Sequence, residues 1–336
     1  MEILILLLTL IGLAVGGHLF VLAASAIGRR CGMSHVLIGA TIIAIGTSLP
    51  EWAVSVGAAW KELPGLSVGN VVGSNVCNMG IVLGLAALIT PLAVTRRAVA
   101  RDGLFMLLAT GMLLVMAVEG SINRLEGVLL LVMALVVIVV AIATGRSEPE
   151  AETRFRWWDI PLAIFGLALV IVSSHFFVEA AEKLATRFGV SEWIIGITVA
   201  AIGTSLPELV TSLAAAAQKQ HGIIVGNVLG SSTMNIFFVL GSAATIREMD
   251  TTSFTMAGAL VFAAMMVLPV VFLATQWKLV RWEGAVLLLV ALGWYVQQTQ
   301  QASGTPAREE VSQQEAHSAC KTATRTVSSP MATRRT

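Results

Sequence analysis

A thirteen-residue segment occurs twice in this chain, and each copy interrupts an apolar run with the same hexapeptide, Gly-Thr-Ser-Leu-Pro-Glu. Residues 39–51 read GATIIAIGTSLPE and residues 196–208 read GITVAAIGTSLPE, with ten of thirteen positions identical. Proline lacks an N–H and its ring clashes with the preceding turn, so Leu49 and Leu206 are expected to leave helical dihedrals. The glycine upstream adds backbone freedom. In water such a segment is a turn. In a bilayer a helix break survives only where protein or a wet cavity surrounds it. There it frees backbone carbonyls, and here a carboxylate follows one residue after the proline, which marks a candidate cation site.

Composition puts the chain in the bilayer. It is 56% hydrophobic and 12% charged, against about 25% charged residues in a soluble domain. A net charge of +1 argues against a nucleic-acid partner. Cys31, Cys77 and Cys320 are scattered, so neither a disulfide framework nor a zinc site is indicated, and no cofactor is expected. The apolar stretch 3–27 is preceded by Glu2 rather than a basic segment, and reads as a first transmembrane helix, not a signal peptide.

Runs of about 20 apolar residues can span a bilayer. They fall near 3–27, 36–60, 67–90, 103–118 and 125–144, then near 160–178 (or to 187), 193–217, 223–246, 256–275 and 282–297. The two sets align at a constant offset of 157 without a gap. Of the 46 positions in 39–84 and 196–241, 24 are identical. The expected organisation is a first repeat at 1–144, a cytoplasmic linker at 145–158, a second repeat at 159–297, and a disordered tail at 298–336 that is rich in Gln, Ser, Thr and Ala. Five spans per repeat is odd, so the copies lie upside down to one another. The fold class expected is an all-α membrane protein of ten transmembrane helices, two inverted five-helix repeats with broken helices at the ion site. Eleven Lys or Arg fall in the loops of one side (29–30, 96–101, 146–156, 219, 278–281) and five in those of the other. The arginine-rich side is then cytoplasmic, with both termini outside.

The next span of each repeat carries a second signature, GNVVGSNVCN at 69–78 and GNVLGSSTMN at 226–235. Asn70, Ser74 and Asn78 are four apart and line one helix face, and Asn227, Ser231 and Asn235 repeat it. Folding the repeats together would gather Glu51 and Glu208, the hydroxyls of Thr47, Ser48, Thr204 and Ser205, both Asn/Ser faces, and freed carbonyls near Ala44 and Ala201. All are hard oxygen donors. Six to eight oxygens suit Ca²⁺, and smaller subsets suit Na⁺. Two carboxylates neutralise one Ca²⁺ or two Na⁺, and the loads compete for the same ligands, as an antiporter requires.

With these motifs in view, the chain resembles the cation/calcium exchanger superfamily, specifically its bacterial sodium/calcium antiporters, over roughly residues 1–297. The resemblance implies ten helices, alternating access and exchange of extruded Ca²⁺ against entering Na⁺. The expected setting is the bacterial inner membrane, the expected partners are the two ions and the lipid bilayer, and the expected state is a monomer. It carries ion-ligand roles onto Thr47, Ser48, Glu51, Ser74 and Asn78, and onto Thr204, Ser205, Glu208, Ser231 and Asn235. Several members, potassium-dependent ones among them, have Asp at the places matching Asn78 or Asn235. Both are Asn here, which weakens the case for K⁺ co-transport or proton coupling.

Other polar residues have plainer readings. Asn70 and Asn227 are divided evenly between helix–helix hydrogen bonding and ion contact. Asn75, whose counterpart is Ser232, is assigned to packing, as are the matched His18 and His175. Glu179 and Lys183 form an i,i+4 pair at a helix end, and Glu126 and Glu283 complement helix starts. A Ca²⁺/H⁺ exchanger is the alternative within the class. A passive channel or an intramembrane hydrolase fits less well, because paired helix breaks argue for alternating access and no nucleophile accompanies the acids.

Overall fold

A computed structural model describes residues 2–145, 156–187, 201–252, 254 and 256–304. Residues up to Gly293 form one compact unit and those from Trp294 a second. The described residues are nearly all helical. In chain order the helices are α1 (Glu2–Arg30), α2 (His35–Thr47), α3 (Leu49–Trp60), α4 (Pro64–Ile89), α5 (Arg96–Val118) and α6 (Arg124–Thr144). After the linker come α7 (Asp159–Arg187), α8 (Ala201–Thr204), α9 (Leu206–Ala217), α10 (His221–Ile246), α11 (Met256–Gln276) and α12 (Arg281–Gly304). Seven helices among the described residues are long and apolar enough to cross a membrane, or eight if α2 and α3 count as one bent span. The expected tail boundary moves: α12 continues through residues 298–304, and 305–336 lie outside the described residues.

Burial ranks the helices. Of the apolar windows of α10 and α4, 94% and 83% are buried, against 28–44% for the other five spans. The two helices that carry the Gly-Asn…Asn signatures are therefore the centre of the unit. Glycine makes the closest approach possible: a methyl at Gly226 of α10 would lie 2.2 Å from the Val36 carbonyl, and one at Gly39 of α2 would lie 2.4 Å from that of Ile223. α1 lies along α7 through Gly12, Gly16 and Gly166, a small-residue contact of the kind that lets membrane helices touch backbone to backbone.

The helix break falls one residue earlier than the proline rule suggests. α2 and α3 meet at 43° across Ser48, whose φ and ψ are −81° and 3°. Leu49 is already helical and Pro50 sits in the first turn of α3. Ser205 (−88°, 5°) and Pro207 repeat this before α9. A first-turn N–H has no helical acceptor in any case, so proline costs nothing there, and the dihedral change moves to the serine. Residues 188–200, which include the N-terminal part of the second copy, lie outside the described residues.

α5 also departs from expectation, beginning at Arg96 and not near residue 103. The Thr95 hydroxyl caps it by accepting from the Ala98 N–H. Arg101 and Asp102 neutralise each other at 2.6 Å, which lets the charged turn stay helical. Arg96, Arg97 and Arg101 thus belong to a helix and not to a loop. Helix α6 starts on a capping box, with the Asn123 side chain accepting from the Glu126 N–H while Glu126 accepts from that of Asn123.

Four two-residue strands join the loops: β1 (Leu92–Ala93) with β4 (Lys278–Leu279), and β2 (Ser121–Ile122) with β3 (Met249–Asp250), both antiparallel. The 157-residue offset carries β1 onto β3 and β2 onto β4, and the register follows. Leu92 opposite Leu279 becomes Met249 opposite Ile122. β1 and β2 lie at opposite ends of α5.

Candidate ion-binding site

Glu51 and Glu208 stand in the first turns of α3 and α9, directly after the two serine breaks, and both are fully buried. Each glutamate is met by the serine of the other break. The Ser205 hydroxyl donates to Glu51 Oε1 at 3.4 Å, and the Ser48 hydroxyl donates to Glu208 Oε1 at 3.4 Å. The second oxygen of each carboxylate is buried and has no hydrogen-bond partner among the described residues. Burying an ionised carboxylate is costly unless it is paired or coordinates a metal ion, and two oxygens with no donor among the described residues are open to a cation.

The threonines before the breaks reach across to the central helices. Thr47 Oγ1 lies 3.4 Å from both Ser231 Oγ and Asn227 Oδ1, while Thr204 Oγ1 lies 3.3 Å from Ser74 Oγ and 3.4 Å from Asn70 Oδ1. The Ala44 carbonyl faces the same cluster. It is not freed by the break, since it accepts from the Ser48 N–H at 3.1 Å, and the Ser231 hydroxyl approaches it at 3.5 Å. Ala201 opens α8, and its side chain lies outside the described residues.

The amides divide into two kinds. Asn70 donates to Ser55 Oγ at 2.9 Å and to the Glu51 carbonyl at 3.2 Å. Asn227 likewise donates to Ser212 Oγ at 3.1 Å and to the Glu208 carbonyl at 3.4 Å. These amides hold the glutamate helices against the central ones, the helix–helix half of the divided expectation. Asn78 and Asn235 sit where α4 and α10 widen into π-turns at Cys77–Val82 and Asn235–Leu240, a feature common at functional sites. Both are fully buried. Among the described residues neither Asn78 amide atom has a hydrogen-bond partner, and Asn235 Oδ1 has none. The unmatched polar atoms of the site are thus mostly oxygens, on two acids and two amides.

Several residues behave differently from their sequence assignments. Asn75 does more than pack: it accepts from Asn235 Nδ2 at 3.1 Å. Ser55 and Ser212, which brace Asn70 and Asn227, were legible as the residue four after each glutamate, identical in both repeats. The histidines are not buried between helices. His18 is exposed and meets Gln218 at 3.5 Å, and His175 is exposed with its ring edge-on to Phe176. Glu179 and Lys183 do form their i,i+4 pair, at 2.6 Å and exposed. No cluster of three or more His, Cys, Asp or Glu occurs among the described residues.

Comparison with known proteins gives a consistent result. The family described as "Sodium/calcium exchanger protein" matches residues 1–143 and 158–299. The sodium/calcium exchanger MaX1 of Methanosarcina acetivorans is 30% identical over 341 residues, covering 88% of this chain and 97% of that protein. The inner membrane protein YrbG of Escherichia coli is 34% identical over 274 residues, covering 77% and 83%. Among solved structures, the sodium-calcium exchanger NCX_Mj soaked with Na⁺ and Sr²⁺ superposes with a TM-score of 0.77 at 34% identity, covering 87% of this chain and 96% of that one.

Proposed function

The chain belongs to the sodium/calcium exchanger protein family, and from that premise we propose that it is a secondary antiporter exchanging Ca²⁺ for Na⁺ by alternating access, with the ions held at Glu51 and Glu208. One observation carries the reading. Two fully buried carboxylates are each bound through one oxygen by the serine of the opposite helix break, and their second oxygens, like the amide oxygens of Asn78 and Asn235, have no hydrogen-bond partner among the described residues. Among the described residues this set has no cationic partner, and on this reading a bound cation completes it.

The ligand set proposed is the carboxylates of Glu51 and Glu208, the hydroxyls of Thr47, Ser48, Ser74, Thr204, Ser205 and Ser231, the amide oxygens of Asn78 and Asn235, and the carbonyls of Ala44 and Ala201. Ca²⁺ takes six to eight such oxygens. Two carboxylates balance one Ca²⁺, so the loaded site is neutral and crosses the bilayer centre without a bare charge, which would be expensive there. Two Na⁺ balance them equally, so each load displaces the other. A third Na⁺ on the hydroxyl and carbonyl oxygens would add one positive charge, and transport would respond to membrane potential by about 2.3 kcal/mol per charge per 100 mV.

The architecture that makes this two-sided is ten transmembrane helices in two inverted five-helix repeats, in the bacterial inner membrane, with the arginine-rich side inside and both termini outside, acting as a monomer. Support for the inversion comes from the exchange of partners. Serine–glutamate, threonine–serine and asparagine–serine contacts all recur at the 157-residue offset with the two repeats interchanged. So do the two strand pairings at opposite ends of α5. An operation that swaps repeats and ends together is a two-fold axis in the membrane plane. The test is ⁴⁵Ca²⁺ uptake into proteoliposomes under imposed Na⁺, K⁺ or pH gradients. Uptake driven by outward Na⁺ alone is expected. Uptake driven by a proton gradient without Na⁺, or an absolute need for K⁺, would refute the charge count.

A further inference from the structure

The 157-residue offset makes Asn78 and Asn235 counterparts, and makes Asn75 the counterpart of Ser232. All four residues are fully buried. Their hydrogen bonding is nonetheless unequal. Asn75 Nδ2 donates to the Ser232 carbonyl at 3.2 Å, and Asn75 Oδ1 accepts from Asn235 Nδ2 at 3.1 Å. In the other half, Ser232 Oγ and both amide atoms of Asn78 have no hydrogen-bond partner among the described residues.

The polarity of the first chain is forced link by link. A backbone carbonyl only accepts, so Asn75 must turn its nitrogen towards Ser232. Its oxygen then faces Asn235 and also only accepts, so Asn235 must offer its nitrogen there. What remains of Asn235 is its oxygen, which has no hydrogen-bond partner among the described residues. Serine at 232 cannot do the same for Asn78, because a hydroxyl both donates and accepts and so selects neither end of an amide.

We propose that Asn75 is a positioning residue that fixes Asn235 as an oxygen donor to the transported cation, while Ser232 leaves Asn78 free to turn, so that the two repeats contribute unequally to the site. A cation needs an acceptor, and an Asn235 released from Asn75 can present its N–H₂ instead. Asn78 carries no such constraint and adapts to whichever load is bound. The asymmetry is written in two residues, Asn-Val against Ser-Thr after the shared Gly-Ser.

This inference rests on the exchange reading, so its test is equilibrium binding of ⁴⁵Ca²⁺ to the purified full-length chain in detergent, which does not require transport. Asn75→Ser, which copies the other repeat, is expected to weaken Ca²⁺ binding by about 10- to 100-fold, the usual effect of removing a partner that orients a metal ligand. The swap Asn75→Ser with Ser232→Asn moves the constraint onto Asn78 and is expected to return binding close to wild type. A residue needed only for packing would not be rescued this way, because the swap disturbs both positions. Wild-type affinity in Asn75→Ser, or a swap that binds no better than the single variant, would overturn the proposal. Where Asn75→Ser gives no monodisperse protein, Ser232→Asn alone decides: it constrains a second amide and tightens binding if the proposal holds, and fails to tighten it if not. A wild type that binds Ca²⁺ without exchanging it removes the antiport reading and leaves this comparison intact, whereas a wild type that binds none removes both.

Discussion

Replacing Glu208 by glutamine changes almost nothing in volume and removes one of two charges. The carboxylate is fully buried, its Oε1 accepts a long hydrogen bond from Ser48 at 3.4 Å, and its second oxygen has no hydrogen-bond partner among the described residues. On the proposed reading the bound cation balances that charge. In Glu208→Gln a bound Ca²⁺ retains one uncompensated positive charge in a buried site. Breaking a buried charge pair costs about 3–5 kcal/mol, and at about 1.4 kcal/mol per decade Ca²⁺ affinity falls by about two to four orders of magnitude. Thermal unfolding in detergent reads this without transport. At 100 times its dissociation constant, Ca²⁺ stabilises the wild type by about 2.7 kcal/mol, and at the same concentration the variant should show almost no shift. The ion-free variant should melt no lower than ion-free wild type, since a costly buried charge has gone. A Ca²⁺-induced shift equal to that of the wild type would refute the argument that Glu208 is a charge partner of the ion.

Glu51→Gln should behave like Glu208→Gln in ⁴⁵Ca²⁺ uptake, because the two acids occupy exchanged but equivalent settings; normal uptake would remove Glu51 from the site. Asn235→Asp should make exchange pH-dependent: protonated at low pH the aspartic acid is neutral and close to asparagine, and as pH rises its ionisation takes the acid count from two to three and unbalances the Ca²⁺-loaded site, so a flat pH profile would count against the charge argument. Gly226→Ala should lower the melting temperature, because the added methyl meets the Val36 carbonyl at 2.2 Å and overpacking of this kind costs about 1–3 kcal/mol. Its counterpart Gly69→Ala meets nothing within 4 Å and should leave the melting temperature unchanged. Truncation after Gly304 should leave uptake intact, since the segment beyond it lacks apolar periodicity and any match in the first repeat; inserted but inactive protein would refute this.

Much of the architecture was legible because duplication doubles every signal. The paired Gly-Thr-Ser-Leu-Pro-Glu segments located both helix breaks, and the four-residue spacing of Asn70, Ser74 and Asn78 located the central face. What sequence left open was which end of each polar side chain does what. Proline marked a break, but only the dihedrals show that the serine before the Leu-Pro pair absorbs it. Apolar periodicity could not foresee that Arg101 and Asp102 cancel and let α5 start at Arg96. From sequence Asn75 reads as a packing residue, because it lacks a matching partner in the other repeat, yet its contact with Asn235 crosses between repeats, a separation of 160 residues that no local pattern encodes. Its lack of symmetry was itself the signal.

The central claim is that one site between Glu51 and Glu208 takes Ca²⁺ or Na⁺ but not both, and anomalous scattering from crystals soaked in Sr²⁺ at rising Na⁺ tests it most directly. The account predicts a Sr²⁺ peak bounded by the oxygens of Glu51 and Glu208, with Asn235 Oδ1 turned towards it, fading as Na⁺ increases. A peak elsewhere in the protein, or one between the glutamates that Na⁺ does not displace, would contradict it.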